Sequence, residues 1–189
     1  MKLELTPSQT VGPYHHYALP YEGGERLVDN DDPDAVRLIG VVVDGDDQPV
    51  SDALVEIWQA NRAGRYAHPE DRREDLPLEE GFTGFGRFPT DVDGRYEFHT
   101  VKPGPVPGPD GRTFQAPHIQ LTVFARGLLR QVVTRVYFPD EEDANAADPV
   151  LRSIEDPVAR SALIARPMDG AYGFDIRLQG EKQTTFFDV

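Results

Sequence analysis

Residues 36–66 read VRLIGVVVDGDDQPVSDALVEIWQANRAGRY, and this stretch decides the fold. VRLIGVVV (36–43) is β-branched and nearly continuous, as for a strand buried on both faces. DGDDQPVSD (44–52) is a cluster of turn formers. ALVEIWQA (53–60) is a second strand running into a polar loop.

The same grammar continues outward. RYEFHTV (95–101) alternates, with Tyr96, Phe98 and Thr100 on one face and Arg95, Glu97 and His99 on the other. Asp93-Gly94 just before it reads as a hairpin turn. HIQLTVFA (118–125) places Ile119, Leu121 and Val123 on one face. QVVTRVYF (131–138) and GFDIRLQ (173–179) are further strands, and TTFF (184–187) closes the sheet. Long loops are expected near 65–90 and 103–117. Asp148-Pro149 and Asp156-Pro157 each offer an N-cap followed by proline at the first helical position, so one short helical segment is expected there. The acidic run at 140–143 reads as a solvated loop. These signals predict an all-β antiparallel sandwich with long loops, in one domain spanning residues 1–189. Residues 1–35 are polar, carry no clean period and hold several aromatic and imidazole rings. They read as an arm that packs on something.

Composition narrows the function. Gly 17 and Pro 17 suit a loop-rich β body, and a net charge of -14 argues against a nucleic-acid or anionic-membrane partner. Without cysteine there is no thiol nucleophile, disulfide framework or thiolate metal site. The opening MKLELTPSQT has no apolar h-region, and no run approaches the length needed to span a membrane, so a cytoplasmic protein is expected.

WQANRAGRY (58–66), DVDGRYEFHTVKPGPVP (91–107) and APHIQLTVFARG (116–127) occur in an order and spacing that resemble the intradiol ring-cleavage dioxygenases. The opening TPSQTVGPYHH (6–16) and the ending FDIRLQGEKQTTFFDV (174–189) extend the resemblance from Leu5 to Val189. It implies a transthyretin-like (prealbumin-like) sandwich. It also implies an iron site in which two tyrosines and two histidines hold Fe(III), hard phenolate oxygens suiting the ferric state. By that resemblance Tyr66 matches the first tyrosine and His118 the first histidine of the H-x-H pair. Val106 stands where the second tyrosine belongs and Gln120 where the second histidine belongs. Gln115 replaces an arginine three residues before His118. Valine has no electron pair to donate, and a glutamine amide is a weak ligand. The five positions therefore read as a vestigial site, with no iron expected in this chain.

The resemblance further implies a non-catalytic subunit paired with a homologous iron-bearing beta subunit. Together they would insert both atoms of O2 into 3,4-dihydroxybenzoate. Thr10, Gly12, Pro13 and Tyr14 would line the partner's substrate pocket, the alternative being an ordinary packed arm. Arg126 would supply positive charge near the substrate carboxylate. The alternative is a surface arginine paired with an acid, and Arg130 and Arg135 lie close by in sequence. Two other readings stay open: an independent intradiol enzyme with an atypical iron site, and a non-enzymatic binding module on the same sandwich.

Overall fold

The computed structural model describes residues 10–12, 14–29, 31–108 and 110–188. Strand β1 (Ala35–Val43) pairs antiparallel along its length with β4 (Arg95–Val101), from Ala35↔Val101 to Val41↔Arg95. The alternation in β4 acts as expected: Tyr96, Phe98 and Thr100 are buried, and the Thr100 hydroxyl donates to Gln59 Oε1 at 2.7 Å, so its burial leaves no polar group unpaired. On its other edge β1 pairs with β10 (Ala171–Gly173) and β11 (Ile176–Arg177), and β10 pairs with β9 (Arg166–Met168).

The second sheet runs β3-β2-β7-β8 and is antiparallel throughout, from β2 (Leu54–Trp58), β3 (Phe85–Pro89), β7 (His118–Phe124) and β8 (Val132–Tyr137). A short ladder, β5 (Val106–Pro107) with β6 (Phe114–Gln115), folds separately. Leu38, Val42 and Phe98 of the first sheet share one core with Val55, Ile57, Ile119, Leu121, Val123 and Val136 of the second. Each such side chain contributes about 1.5–3 kcal/mol by leaving water.

Several expectations need correction. Strand β1 is not buried on both faces: Leu38 and Val42 are in the core, whereas Val36, Ile39, Val41 and Val43 remain partly exposed. The first sheet covers the core with one face only. It is also mixed, because β10 and β11 run parallel to β1. Parallel neighbours need a long crossover, and nearly the whole domain lies between these strands. The break between β10 and β11 sits at Phe174, whose carbonyl crowds Gly40 so closely that a Cβ there would overlap it. Asp93-Gly94 closes a turn, with Gly94 N–H donating to Asp91 O at 2.9 Å, but β3 and β4 lie in different sheets, so the turn is not a hairpin.

Among the described residues four short helices replace the single one expected: α1 (His15–Ala18), α2 (Glu142–Ala147), α3 (Pro149–Ser153) and α4 (Pro157–Ser161). Asp148 and Asp156 do cap α3 and α4, and α4 ends at Ser161. The acidic run is not a loop throughout, since Glu142 and Asp143 open α2 while Asp140 and Glu141 both pair with Lys102. The second half of the amino-terminal stretch belongs to the body. Leu27 is in the core, and backbone bonds Leu27 N to His99 O (2.8 Å) and Arg87 N to Gly24 O (2.7 Å) tie it to both sheets. Among the described residues no helix is long and apolar enough to cross a membrane.

Candidate functional site

The vestigial positions gather at one end of the second sheet, on the face turned away from the core. His118 opens β7, and Gln120 shares its face because Ile119 and Leu121 point inward. Register then sets Trp58 on one side of Gln120 and Arg135 on the other. The WQAN loop leaves β2 in a tight turn fixed by Asn61. Its Oδ1 accepts from Ala63 N at 3.0 Å and Arg65 N at 2.9 Å, and its Nδ2 donates to Pro77 O at 2.9 Å. Gly64, at φ +81, lies against Pro105 O where no side chain would fit, which brings the loop onto the 103–105 segment.

That turn delivers Tyr66 onto Trp58, the rings stacked 5.7 Å apart and 12° from parallel. Tyr66 N donates to Asp71 Oδ2 at 2.8 Å, and Arg73 binds the same carboxylate at 2.8 and 2.5 Å. The Arg73 guanidinium holds the Asp71 carboxyl well below the usual carboxylate range. Trp58, Tyr66, His68, Arg72, Val106 and Gln115 are among the residues enclosing a cleft of about 700 Å³.

The donor set does not fit ferric iron. Burial pushes the Tyr66 phenol up, with Arg135 and Arg73 opposing only part of that effect, which makes the phenolate a metal would need costlier to form. Val106 is a buried hydrocarbon. Gln115 is held at both ends of its amide: its Nε2 donates to Pro107 O at 2.7 Å and its Oε1 accepts from Arg135 Nη1 at 2.6 Å. His118 is buried, its Nδ1–H donating to Ala116 O at 2.8 Å and its ring tilted against Tyr137. Burial, then the charge of Arg135, lowers its pKa to about 4, so it is a neutral imidazole. One imidazole and one phenol, with no further donor at Val106 and a guanidinium held nearby by Gln115, make a poor site for a trivalent cation.

Sequence reasoning missed the groups that finish this site. Arg135 of β8 brings to Gln115 a guanidinium that position 115 itself lacks. Asp148, fully buried, accepts from Ala116 N, Val150 N and Leu151 N, each at 2.8 Å, which ties β6 and the start of β7 to α3. The Asp-Pro cap signal at 148–149 was the only trace of this in the sequence.

The second candidate site lies at the other end of β7, about 20 Å away along the strand. Thr10 Oγ1 accepts from Gly127 N at 2.9 Å. Val11, Gly12, His15, His16, Tyr17, Asp52 and Arg126 enclose a small cleft of about 150 Å³. His15 packs on Phe124, ring centroids 5.1 Å apart, and burial lowers its pKa. Arg126 pairs with Asp52 yet remains largely exposed, so the surface ion pair weighed as its alternative is present. Tyr14 and Tyr17 project from the arm, 78% and 80% exposed. Pro13 lies outside the described residues. The structure thus groups Thr10, Gly12 and Arg126, and separates them from Tyr66, Val106, Gln115, His118 and Gln120.

A dioxygenase family model matches residues 10–180, and the chain belongs to the intradiol dioxygenase family of oxidoreductases. Over its whole length it is 44% identical to the protocatechuate 3,4-dioxygenase alpha chain of Pseudomonas putida, with 100% of both chains covered. It is 36% identical to the protocatechuate 3,4-dioxygenase beta chain of Burkholderia cepacia, over 94% of this chain and 77% of that one. Among solved structures it resembles the dioxygenase domain of a dioxygenase carbohydrate-binding protein fusion from Streptomyces sp. SirexAA-E, with 27% identity and a TM-score of 0.60. That match covers 94% of this chain and 99% of the other.

Proposed function

We propose that this chain is the non-catalytic subunit of a hetero-oligomeric protocatechuate 3,4-dioxygenase. Its homologous partner would hold Fe(III), and the pair would cleave 3,4-dihydroxybenzoate with O2, placing both oxygen atoms in 3-carboxy-cis,cis-muconate. The observation that carries this reading is a contrast. Similarity to an alpha chain runs the full length, yet Val106 and Gln115, held at both ends of its amide, stand where donors would be needed, leaving only Tyr66 and the nearby buried His118. The 36% identity to a beta chain supports a partner built on the same scaffold. A shared core between two sheets supports the finer assignment to a transthyretin-like sandwich, and a cytoplasmic location agrees with the cysteine-free composition.

In this reading the chain's own contribution is positional. Thr10, Gly12, Pro13 and Tyr14 border the partner's pocket. Thr10 is pinned to Gly127, one residue beyond Arg126, so the arm and the guanidinium are presented as a unit. Arg126 would offset the -14 net charge locally, where an anionic substrate approaches. The test is O2 uptake with 3,4-dihydroxybenzoate by this chain alone, by an iron-bearing beta chain alone and by the co-expressed pair. Full turnover is expected from the pair only. Turnover by this chain alone contradicts the proposal.

A further inference from the structure

We propose that His15 is the positioning residue of the amino-terminal arm, seating it on the body as a neutral imidazole and releasing it on protonation. The seating belongs to this chain alone, and its effect on turnover rests on the role given to the arm above.

The arm crosses the outer face of the second sheet. Thr10 Oγ1 accepts from Gly127 N at one end, and Leu19 O accepts from Arg87 Nη1 at 3.0 Å at the other. Between these two bonds α1 buries no hydrophobic side chain, and Tyr14, Tyr17, Ala18 and Leu19 all face solvent. His16 lies edge-on to Tyr17 of the arm itself, ring centroids 5.4 Å apart. The ring of α1 that packs on the sheet is that of His15, 5.1 Å from Phe124 at the end of β7.

That seat makes no provision for a charge. His15 Nε2 is buried and, among the described residues, has no hydrogen-bond partner. The charged and titratable groups around His15 are Glu56 of β2, Arg87 of β3, His16 of α1, and Asp52 and Arg126 across the small cleft. Arg87 binds the Glu56 carboxylate at 2.8 and 2.5 Å, and Arg126 pairs with Asp52. Each nearby carboxylate thus already carries its own guanidinium, and an imidazolium formed here would be a buried cation without an anion of its own. Burial accordingly lowers the His15 pKa from 6.5, with Glu56 opposing the effect and Arg87 and His16 adding to it. The sign follows. Above about pH 6.5 the imidazole is neutral whether the arm is seated or released, and seating is complete; below it the released arm takes the proton first. Linkage then weakens the seating equilibrium by up to about thirtyfold at about pH 5.

The chain has no cysteine, so a nitroxide on Ala18→Cys, an exposed position at the end of α1, reports the arm alone. Electron paramagnetic resonance of the labelled full chain is followed from about pH 7.5 to about 5, with near-UV circular dichroism recording the body. A restricted spectrum is expected at the upper end, with a mobile component growing below about pH 6.5 while the dichroism stays constant. His15→Phe, which keeps a ring against Phe124, should stay restricted throughout, His15→Lys should be mobile from the start, and His16→Gln should keep the transition. Because the pH series reads His15 itself, it decides the matter even where a substituted chain fails to fold. A spectrum that stays restricted at the acid end, the same transition in a folded His15→Phe chain, or its loss in His16→Gln each overturns the proposal. In the co-expressed pair, turnover of 3,4-dihydroxybenzoate should fall at least about threefold further over this range with His15 than with His15→Phe. Release of the arm without that difference in turnover would overturn the pocket role proposed above, whereas its failure to release overturns the seating by His15.

Discussion

Val106 stands directly across the β5–β6 ladder from Gln115, and Gln115 in turn holds the guanidinium of Arg135. A hydrocarbon and a glutamine that holds a cation behind it thus line the cleft where metal donors would be needed. Restoring a metal site requires more than adding donors, because the cation would still repel the metal. The Val106→Tyr, Gln120→His chain is expected to bind ferric iron weakly and below stoichiometry, and each single variant not at all. Adding Arg135→Gln should raise the occupancy. Metal analysis after dialysis checks this, and full occupancy of the double variant with Arg135 intact would show that the guanidinium is no obstacle.

Asp148 and Asp156 are both caps preceding proline, but they should differ in worth. Asp156 sits on the surface and accepts from Val158 N at 2.9 Å, so Asp156→Ala should cost about 1 kcal/mol. Asp148→Ala strands Ala116 N as well as two helix N–H groups in a dry interior, and should cost about 3 kcal/mol or more. Urea unfolding of both variants measures the difference. Similar losses would mean that Asp148 acts only as a local cap.

Burial keeps His118 neutral with a pKa of about 4, against 6.5 for a free imidazole. The unfolded chain therefore takes up this proton first. Its contribution to stability is complete above about pH 6.5, declines as pH falls, and is lost once pH passes below about 4. Between pH 7 and 4.5 the native chain should lose about 2 kcal/mol more than His118→Gln in urea unfolding. His15, whose pKa burial also lowers, is common to both chains, so it cancels in the comparison. Equal losses would place the acid sensitivity elsewhere.

Removing residues 1–17 should leave the body folded, because among the described residues the core begins at Leu27 and the strands at Ala35. Turnover of the reconstituted pair should fall at least about tenfold, with a thermal midpoint within a few degrees of the full chain. Normal turnover in the truncated pair would remove the arm from the proposed pocket.

How much of this was legible in the sequence depended on the range over which each signal acts. β4 and β7 were readable because alternation is local, and Tyr96, Phe98, Ile119, Leu121 and Val123 all point inward. The caps at Asp148 and Asp156 were readable for the same reason. β3 was hidden because FGRFP carries glycine and proline and no β-branched residue, yet it is held by pairing with β2. Tyr66, Val106, Gln115, His118 and Gln120 were found through a resemblance in motif order. Arg135 was not singled out, because its place beside Gln115 depends on the β7–β8 register and on a ladder formed at β5–β6. Arg126 could be named from FARG, but its pairing with Asp52 spans sequence distance that no local pattern encodes.

The central claim is that this chain supports an iron enzyme without holding the iron. The direct measurement is metal content and visible absorption of the chain purified without a partner. The account predicts no stoichiometric iron and no phenolate-to-iron charge-transfer band. Near-stoichiometric ferric iron with such a band in the unaltered chain would contradict it, and would make this chain an independent enzyme with an atypical ligand set.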